Sequence, residues 1–356
     1  MSHKSHKTVS VALQGGGSHC AFAWGVLDAL LADGRLAFDG LSGTSGGAVN
    51  AVAMADGLAR GGAEAARESL SSFWQRLDSE NPAVAEADEF LDAAVSLFKP
   101  WLAVMPSAVR EAADYYSMFN PWALVPEFLV GVSPHGVTPF PLNPIIEKLE
   151  TIFDFEMLRQ TESPKLFVSA TSVHTGESRV FYPHEIDGRV LTASVCMPRL
   201  FRAVEIEDHA YWDGGYTANP MLWPLIRETE AHDIVLVKIV PFHASGVPEA
   251  PHEIIGRLHQ IVFNSSLRQE LREIHFINRL LREKRLDPKR YKIRHVHCID
   301  GTDYIGKLPA GSMYDINPNL IRELRDAGRE IAQAWLSTHY KDIGRRSTYE
   351  PDEPRY

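Results

Sequence analysis

A serine between two glycines is the first feature of this chain whose spacing suits catalysis. Ser45 lies in Gly43-Thr44-Ser45-Gly46-Gly47, the G-x-S-x-G pattern of a nucleophile elbow. In such an elbow a strand turns sharply into a helix, and residues without a Cβ let a second chain and a substrate approach closely. The helix expected from Gly46 to about Arg60 directs its N-terminal amides at Ser45 Oγ, which favours a developing oxyanion. The pattern therefore predicts a serine nucleophile.

A glycine run precedes this motif. Gly15-Gly16-Gly17-Ser18 follows a predicted strand over residues 8–14 and leads into an apolar helix. Consecutive backbone N–H groups in such a turn form an anion cradle. A dinucleotide site requires G-x-G-x-x-G, but Cys20 stands at the third glycine position, and the sequence contains no G-x-x-x-x-G-K-[ST] motif. The order of cradle, helix, short strand and serine motif favours an oxyanion hole instead.

The composition limits the classes of protein to consider. The 356 residues are 45% hydrophobic and 23% charged, enough for one large α/β domain or two medium ones. A formal net charge of −10 disfavours nucleic-acid binding. Cys20, Cys196 and Cys298 form no C-x-x-C pair, which suits a reducing compartment and predicts no disulfide and no metal site. The absence of an apolar signal segment and of a long apolar run predicts a cytoplasmic protein without a transmembrane helix.

Strands and helices alternate along most of the chain. Apolar runs predict buried strands at residues 165–171, 179–182, 233–241 and 292–299. Long helices are expected from His252 to Arg285 and from Asn317 to Tyr340. This alternation predicts a mostly parallel sheet covered by helices on both faces. Residues 78–141, rich in proline and aromatic residues, are expected to be a helical insertion, either a lid or acyl-pocket wall or a subdomain packed on the core.

A third block, Asp213-Gly214-Gly215, completes a resemblance to the patatin-like phospholipases. The three blocks follow one another in that family's order, with Ser194 to Pro198 ahead of the third block and Asn219-Pro220 behind it. The likeness covers about residues 8–240, which would form the acyl hydrolase domain. It implies a three-layer α/β/α fold. Residues 241–345 are expected to be a helical C-terminal extension packed on the same domain, between flexible tails at residues 1–7 and 346–356.

The resemblance also implies a chemistry. Ser45 would attack an ester of a phospholipid or lysophospholipid, and Asp213 would take its proton directly, in a Ser-Asp dyad without histidine. A buried, apolar position would raise the pKa of this carboxyl and make it a better base. The oxyanion hole would be built from the amides of the run Gly15 to Ser18. No cofactor is implied. His19 and Cys20 depart from the family pattern, which often has Arg or Lys and then Gly at these positions.

Two other interpretations remain open from the sequence. A Ser-His-Asp α/β-hydrolase would need a histidine after Asp213. The candidates are His232, His243, His252 and His259. That fold usually places several strands before its elbow, whereas Ser45 follows only about two. The second alternative is a lipid-binding regulatory protein that keeps an acyl pocket.

A basic run in this acidic protein suggests a further partner. Residues 279–294 contain many Arg and Lys residues. Such a run is often no more than a solvated helix end. It is also the composition that binds lipid phosphates at an anionic membrane surface, and it predicts peripheral membrane contact.

Overall fold

The computed structural model describes residues 6–77 and 149–351, apart from residues 163, 199, 200, 245, 250 and 310. The helical insertion expected over residues 78–141 therefore lies outside the described residues.

The described residues form a single mixed sheet. Its strands are β1 (Lys7–Leu13), β2 (Leu36–Thr44), β3 (Lys165–Ser172), β4 (Ser178–Phe181), β5 (Val204–Ile206), β6 (His209–Asp213), β7 (Asp233–Lys238) and β8 (His295–Asp300). Their spatial order is β5-β6-β3-β2-β1-β7-β8, and β4 also pairs with β3. Five neighbouring strands are mutually parallel, namely β3, β2, β1, β7 and β8. The strands β4, β5 and β6 make antiparallel pairs. The predicted mostly parallel sheet is confirmed.

Helices cover both faces of the sheet. They are α1 (Cys20–Asp33), α2 (Gly46–Gly61), α3 (Ala63–Arg76), α4 (Phe155–Gln160), α5 (Gly188–Val195), α6 (Trp223–Glu228), α7 (Pro251–Arg282), α8 (Thr302–Ile305) and α9 (Pro318–His339). Val235 and Val237 of β7 join one buried core, with α1, α2, α3 and α9, while Ile234 and Leu236 join the other, with α6 and α7. Because successive side chains of a strand point to opposite faces, the continuous apolar run of β7 supplies two cores at once.

The strand register brings the three sequence blocks to one edge of the sheet. Leu13 at the end of β1 lies opposite Gly43 of β2, so the glycine run begins beside the serine motif. Thr44 lies opposite Ser169 of β3, and the next residue of β3, Ala170, lies opposite Asp213. This edge holds the carboxyl ends of the parallel strands, where α/β proteins generally place their ligands.

The C-terminal region completes the sheet and part of its cover. It supplies β8, the long helices α7 and α9, and the short turn Ser312–Tyr314. The predicted helical character of this region is confirmed. The amides of Thr348 and Tyr349 donate to the carbonyl of Val296 in β8. The described part of the expected C-terminal tail is therefore hydrogen-bonded to the sheet.

Candidate active site

Ser45 occupies a strained turn between β2 and α2. Its backbone φ is 55° and its ψ is −132°, a positive-φ conformation that non-glycine residues rarely adopt. The flanking glycines let the turn fit against its neighbours, since a Cβ on Gly47 would lie 2.3 Å from the carbonyl oxygen of Leu13. Gly46 begins α2, so the helix N-terminus starts directly after the serine. The predicted strand–turn–helix geometry is present at this position.

The side chains of Ser45 and Asp213 are in direct contact. Ser45 Oγ donates a 2.7 Å hydrogen bond to Asp213 Oδ2, and the other carboxyl oxygen accepts the amide of Gly215 at 2.7 Å. Gly214 and Gly215 open the short turn that follows β6. The residues come from positions 168 apart in the sequence. Among the described residues, no histidine hydrogen-bonds either side chain.

Burial changes the acidity of the aspartate. Asp213 is fully buried, and loss of water around its carboxylate raises its pKa to about 7, against the opposing hydrogen bonds from Ser45 and Gly215. The carboxyl therefore titrates near neutral pH, where a general base works best. Its position beside a hydroxyl makes proton transfer from Ser45 geometrically direct.

One short segment holds the backbones of both residues. Ser194 Oγ accepts the Ser45 amide at 3.0 Å, and the carbonyl of Cys196 accepts the Asp213 amide at 2.7 Å. Ser194 belongs to α5, whose end is Val195. Thr171 of β3 makes a further contact, since its Oγ1 donates to the Asp213 carbonyl at 2.8 Å. The separation of Ser45 and Asp213 is thus fixed through main-chain contacts as well as through their side chains.

The glycine run passes directly beside the serine. A Cβ on Gly15 would lie 2.5 Å from both Ser45 Cβ and the Thr44 carbonyl oxygen. The Gly15 amide donates to Asn219 Oδ1 at 2.6 Å, so it is already occupied, contrary to its expected place in an oxyanion hole. Within residues 6–77 and 149–351, the amides of Gly16, Gly17 and Ser18 have no acceptor. These three amides remain the candidate anion donors.

The two departures from the family pattern, His19 and Cys20, have structural partners. His19 Nε2 lies 2.8 Å from Ser312 Oγ, and burial lowers the pKa of His19 to about 4, so the imidazole is neutral at pH 7. Cys20 is fully buried under Gly46, and burial raises the pKa of its thiol well above the usual range. A buried, protonated thiol is a poor nucleophile.

Sequence reasoning missed the residues that support the glycine run. Gln14 and Asn219 are fully buried polar residues beside it, and Ser312 reaches it from the C-terminal region. In the sequence, Asn219 stands out only as part of the Asn219-Pro220 block behind Asp213. Nothing near Ser312 in the sequence indicates a contact with a residue 294 positions earlier.

Metal-binding clusters and membrane-spanning helices are not found in the described part of the chain. It contains no group of three or more His, Cys, Asp or Glu side chains arranged to hold a metal ion. None of its helices combines the length and apolarity needed to cross a membrane.

Comparisons with known proteins give one family. A model of the patatin-like phospholipases matches residues 11–226, which include Ser45 and Asp213. Among solved structures, the chain is similar to VipD from Legionella pneumophila, with 14% sequence identity and a TM-score of 0.38, over 94% of this chain and 67% of that one. No curated protein matches the chain significantly.

Proposed function

The chain belongs to the patatin-like phospholipase family, and from this membership we propose that it cleaves fatty-acyl esters of phospholipids or lysophospholipids through an acyl-enzyme on Ser45. Membership of this family supports lipid acyl hydrolase activity. The observation that carries the finer assignment is the 2.7 Å hydrogen bond between Ser45 Oγ and the buried Asp213 carboxyl. The absence of a histidine contact among the described residues argues against a Ser-His-Asp triad.

In the first step, Ser45 Oγ attacks the ester carbonyl carbon while its proton moves to Asp213 Oδ2. The positive dipole end of α2 faces the developing alkoxide. The oxyanion of the tetrahedral intermediate would accept hydrogen bonds from the amides of Gly16, Gly17 and Ser18, whose acceptors are absent within the described residues. Each such donor is typically worth about 2.7–4 kcal/mol of barrier.

Collapse of the intermediate breaks the ester C–O bond, and the proton on Asp213 passes to the departing alcohol. The acyl group is then bonded to Ser45 Oγ. A water molecule attacks the acyl carbon and gives a proton to Asp213, and release of the fatty acid returns that proton to Ser45. The same carboxyl serves as base and acid in both halves, which requires a pKa close to the working pH. Burial of Asp213 meets this requirement.

The experiment is hydrolysis of a medium-chain p-nitrophenyl ester and of phospholipid vesicles by wild type, Ser45→Ala, Asp213→Asn and His243→Ala. We expect loss of both activities in the first two variants and activity close to wild type in the third. Wild-type activity that survives Ser45→Ala would rule out the assignment. Loss in His243→Ala, in a folded protein, would restore the histidine triad.

We also propose that α7 and the residues after it contact an anionic membrane surface. Of the predicted basic run, Arg279, Arg282, Arg285 and Arg290 are exposed. Arg294 is not part of this surface, because it is buried and its guanidinium bonds backbone carbonyls.

The exposed side of α7 supports this proposal. Ile254, Leu258 and Ile261 are 42–55% exposed at helical spacing, and Phe276 and Arg279 continue the same side of the helix. Apolar side chains next to basic ones suit a bilayer surface with anionic head groups.

Binding to anionic vesicles measures this contact. Glu substitutions at Arg279, Arg282 and Arg285 should weaken sedimentation with anionic vesicles while leaving hydrolysis of a soluble ester unchanged. Unaltered vesicle binding would contradict the membrane contact without affecting the Ser45 assignment.

A further inference from the structure

We propose that Asn219 and Ser312 are positioning residues that hold the oxyanion loop, Gly15 to His19, from its two ends. The inference rests on the proposed esterase function and adds to it a role for two residues outside the dyad. It is carried by hydrogen bonds from two distant parts of the chain that converge on this loop.

Asn219 holds the first end of the loop. Its Oδ1 accepts the amide of Gly15 at 2.6 Å, and its Nδ2 donates to the carbonyl of Gly15 at 3.1 Å. Both backbone polar atoms of one glycine are thus bonded to one buried side chain. Gly15 is also the loop residue pressed against Ser45, so its position sets the distance between loop and nucleophile. Because Asn219 follows Asp213 by six residues, it ties the loop to the segment that carries the base.

A buried amide network fixes Asn219 in turn. Gln14 Nε2 donates to the Asn219 carbonyl at 3.2 Å and to Asn264 Oδ1 of α7 at 3.0 Å. Gln14 Oε1 accepts the amides of Ile239 and Val240 just beyond β7. All three side-chain amides are at most 2% exposed. A fully bonded buried network of this kind permits a single arrangement, since any shift leaves a polar group without a partner.

Ser312 holds the other end. Its carbonyl accepts Ser18 Oγ at 2.9 Å, and its hydroxyl lies 2.8 Å from His19 Nε2. The next residue, Met313, lies on Gly17, where a Cβ would be 2.1 Å from the Met313 carbonyl oxygen. Gly17 has a φ of 58°, so the loop needs glycine both for its conformation and for this approach. The amides that face the substrate lie between these two attachments.

Such positioning should affect the transition state more than substrate binding. An oxyanion forms only after attack, so displaced amides weaken an interaction that the bound ester does not yet make. Displacement of a catalytic group by about 1 Å can cost on the order of 100-fold in rate. Loss of Asn219 should therefore lower kcat and leave KM nearly unchanged.

The chain offers a matched control for this test. Asn278 is also buried, and its side chain bonds the carbonyl and the amide of Arg294 at 2.7 Å and 3.0 Å. Asn219→Ala and Asn278→Ala each free both backbone groups of one residue, but only the first does so beside Ser45. Both are compared with wild type and Ser45→Ala for kcat, KM and Tm on a p-nitrophenyl ester.

We expect Asn219→Ala to lower kcat by about 10- to 100-fold. Asn278→Ala should lower Tm to about the same extent as Asn219→Ala does, but its kcat should stay within about twofold of wild type. Equal kcat in the two variants would overturn the proposal. If Asn219→Ala does not fold, the double variant Ser18→Ala/Ser312→Ala decides the question, because it removes both side-chain hydrogen bonds of the second attachment. A several-fold lower kcat is expected, and an unchanged kcat would contradict the proposal. Wild-type activity that depends on Ser45 but not on Asn219 or Ser312 defeats only this inference. Absence of Ser45-dependent activity defeats the proposed function as well.

Discussion

The backbone amide of Ser45 donates a 3.0 Å hydrogen bond to the hydroxyl of Ser194, a fully buried residue of α5. Ser45, the proposed nucleophile, is therefore attached through its main chain to α5 and through its side chain to Asp213 at the end of β6. This amide already has an acceptor, whereas the amides of Gly16, Gly17 and Ser18 have none within the described residues.

Ser194→Ala should lower kcat by about tenfold, because it leaves the Ser45 amide buried without an acceptor and frees the strained turn to relax. An unpaired buried donor costs roughly 1–3 kcal/mol, so Tm should fall as well. Steady-state kinetics and thermal unfolding measure the two effects. Ser42→Ala is the control, since Ser42 Oγ donates to the Met221 carbonyl and not to the site. An equal loss of kcat in both variants would contradict the role of Ser194.

The pH dependence of hydrolysis should follow Asp213. The carboxyl must be ionised to accept the Ser45 proton, and burial raises its pKa to about 7, so kcat/KM should rise with pH through a midpoint near 7. His19 is the control, because burial lowers its pKa to about 4 and it stays neutral throughout pH 5–9. His19→Gln should leave the midpoint in place, and a midpoint that moves with this substitution would assign the titration to His19 instead.

Asp213 should also make the stability of the protein depend on pH. Its folded pKa lies above the unfolded value near 3.8, so the folded state binds the proton more strongly and stability is lost as pH rises from about 4 to 7. The slope for a single group is about 1.4 kcal/mol per pH unit. The Tm of Asp213→Asn minus the Tm of wild type should therefore increase from about pH 4 to pH 7 and stay constant at higher pH. A constant difference from pH 4 to 8 would show that Asp213 has a normal pKa.

Adjacent glycines of the loop should respond differently to an added methyl group. A Cβ on Gly15 meets the Thr44 carbonyl oxygen at 2.5 Å, whereas one on Gly16 meets the tip of the Ile239 side chain at 3.0 Å. Backbone cannot move aside as a side chain can, so Gly15→Ala should cost about 3 kcal/mol or more and Gly16→Ala about 1 kcal/mol. Chemical denaturation of both variants checks the order, and a reversed order would contradict the loop's fit against Ser45.

Much of the fold could be predicted because its signals are local, whereas the pairing of Ser45 with Asp213 is expected from the family resemblance of the three sequence blocks. The apolar run of β7, the glycines around Ser45 and the block at Asp213 are each contained within a short stretch of sequence. The strand order was not predictable in this way, and the register across β2, β3 and β6 is what brings Ser45 and Asp213 into contact.

The supporting contacts could not be predicted for the same reason. Ser194, Asn219 and Ser312 reach the site across 149, 204 and 294 positions of sequence. The error at Gly15 is of this kind. A glycine run indicates several aligned amides, but only the fold shows that Asn219 occupies the first of them.

Because the loop from Gly15 to His19 contacts Ser312, it can be completed only late in synthesis of the chain. Ser45 and Asp213 both leave the ribosome long before Ser312, and contacts between distant parts of a chain close last. A nascent chain can therefore contain Ser45 and Asp213 while the loop still lacks its contacts with Ser312. Under the proposed function, the loop from Gly15 to His19 would be held at both ends only once the region around Ser312 has been synthesised and has docked.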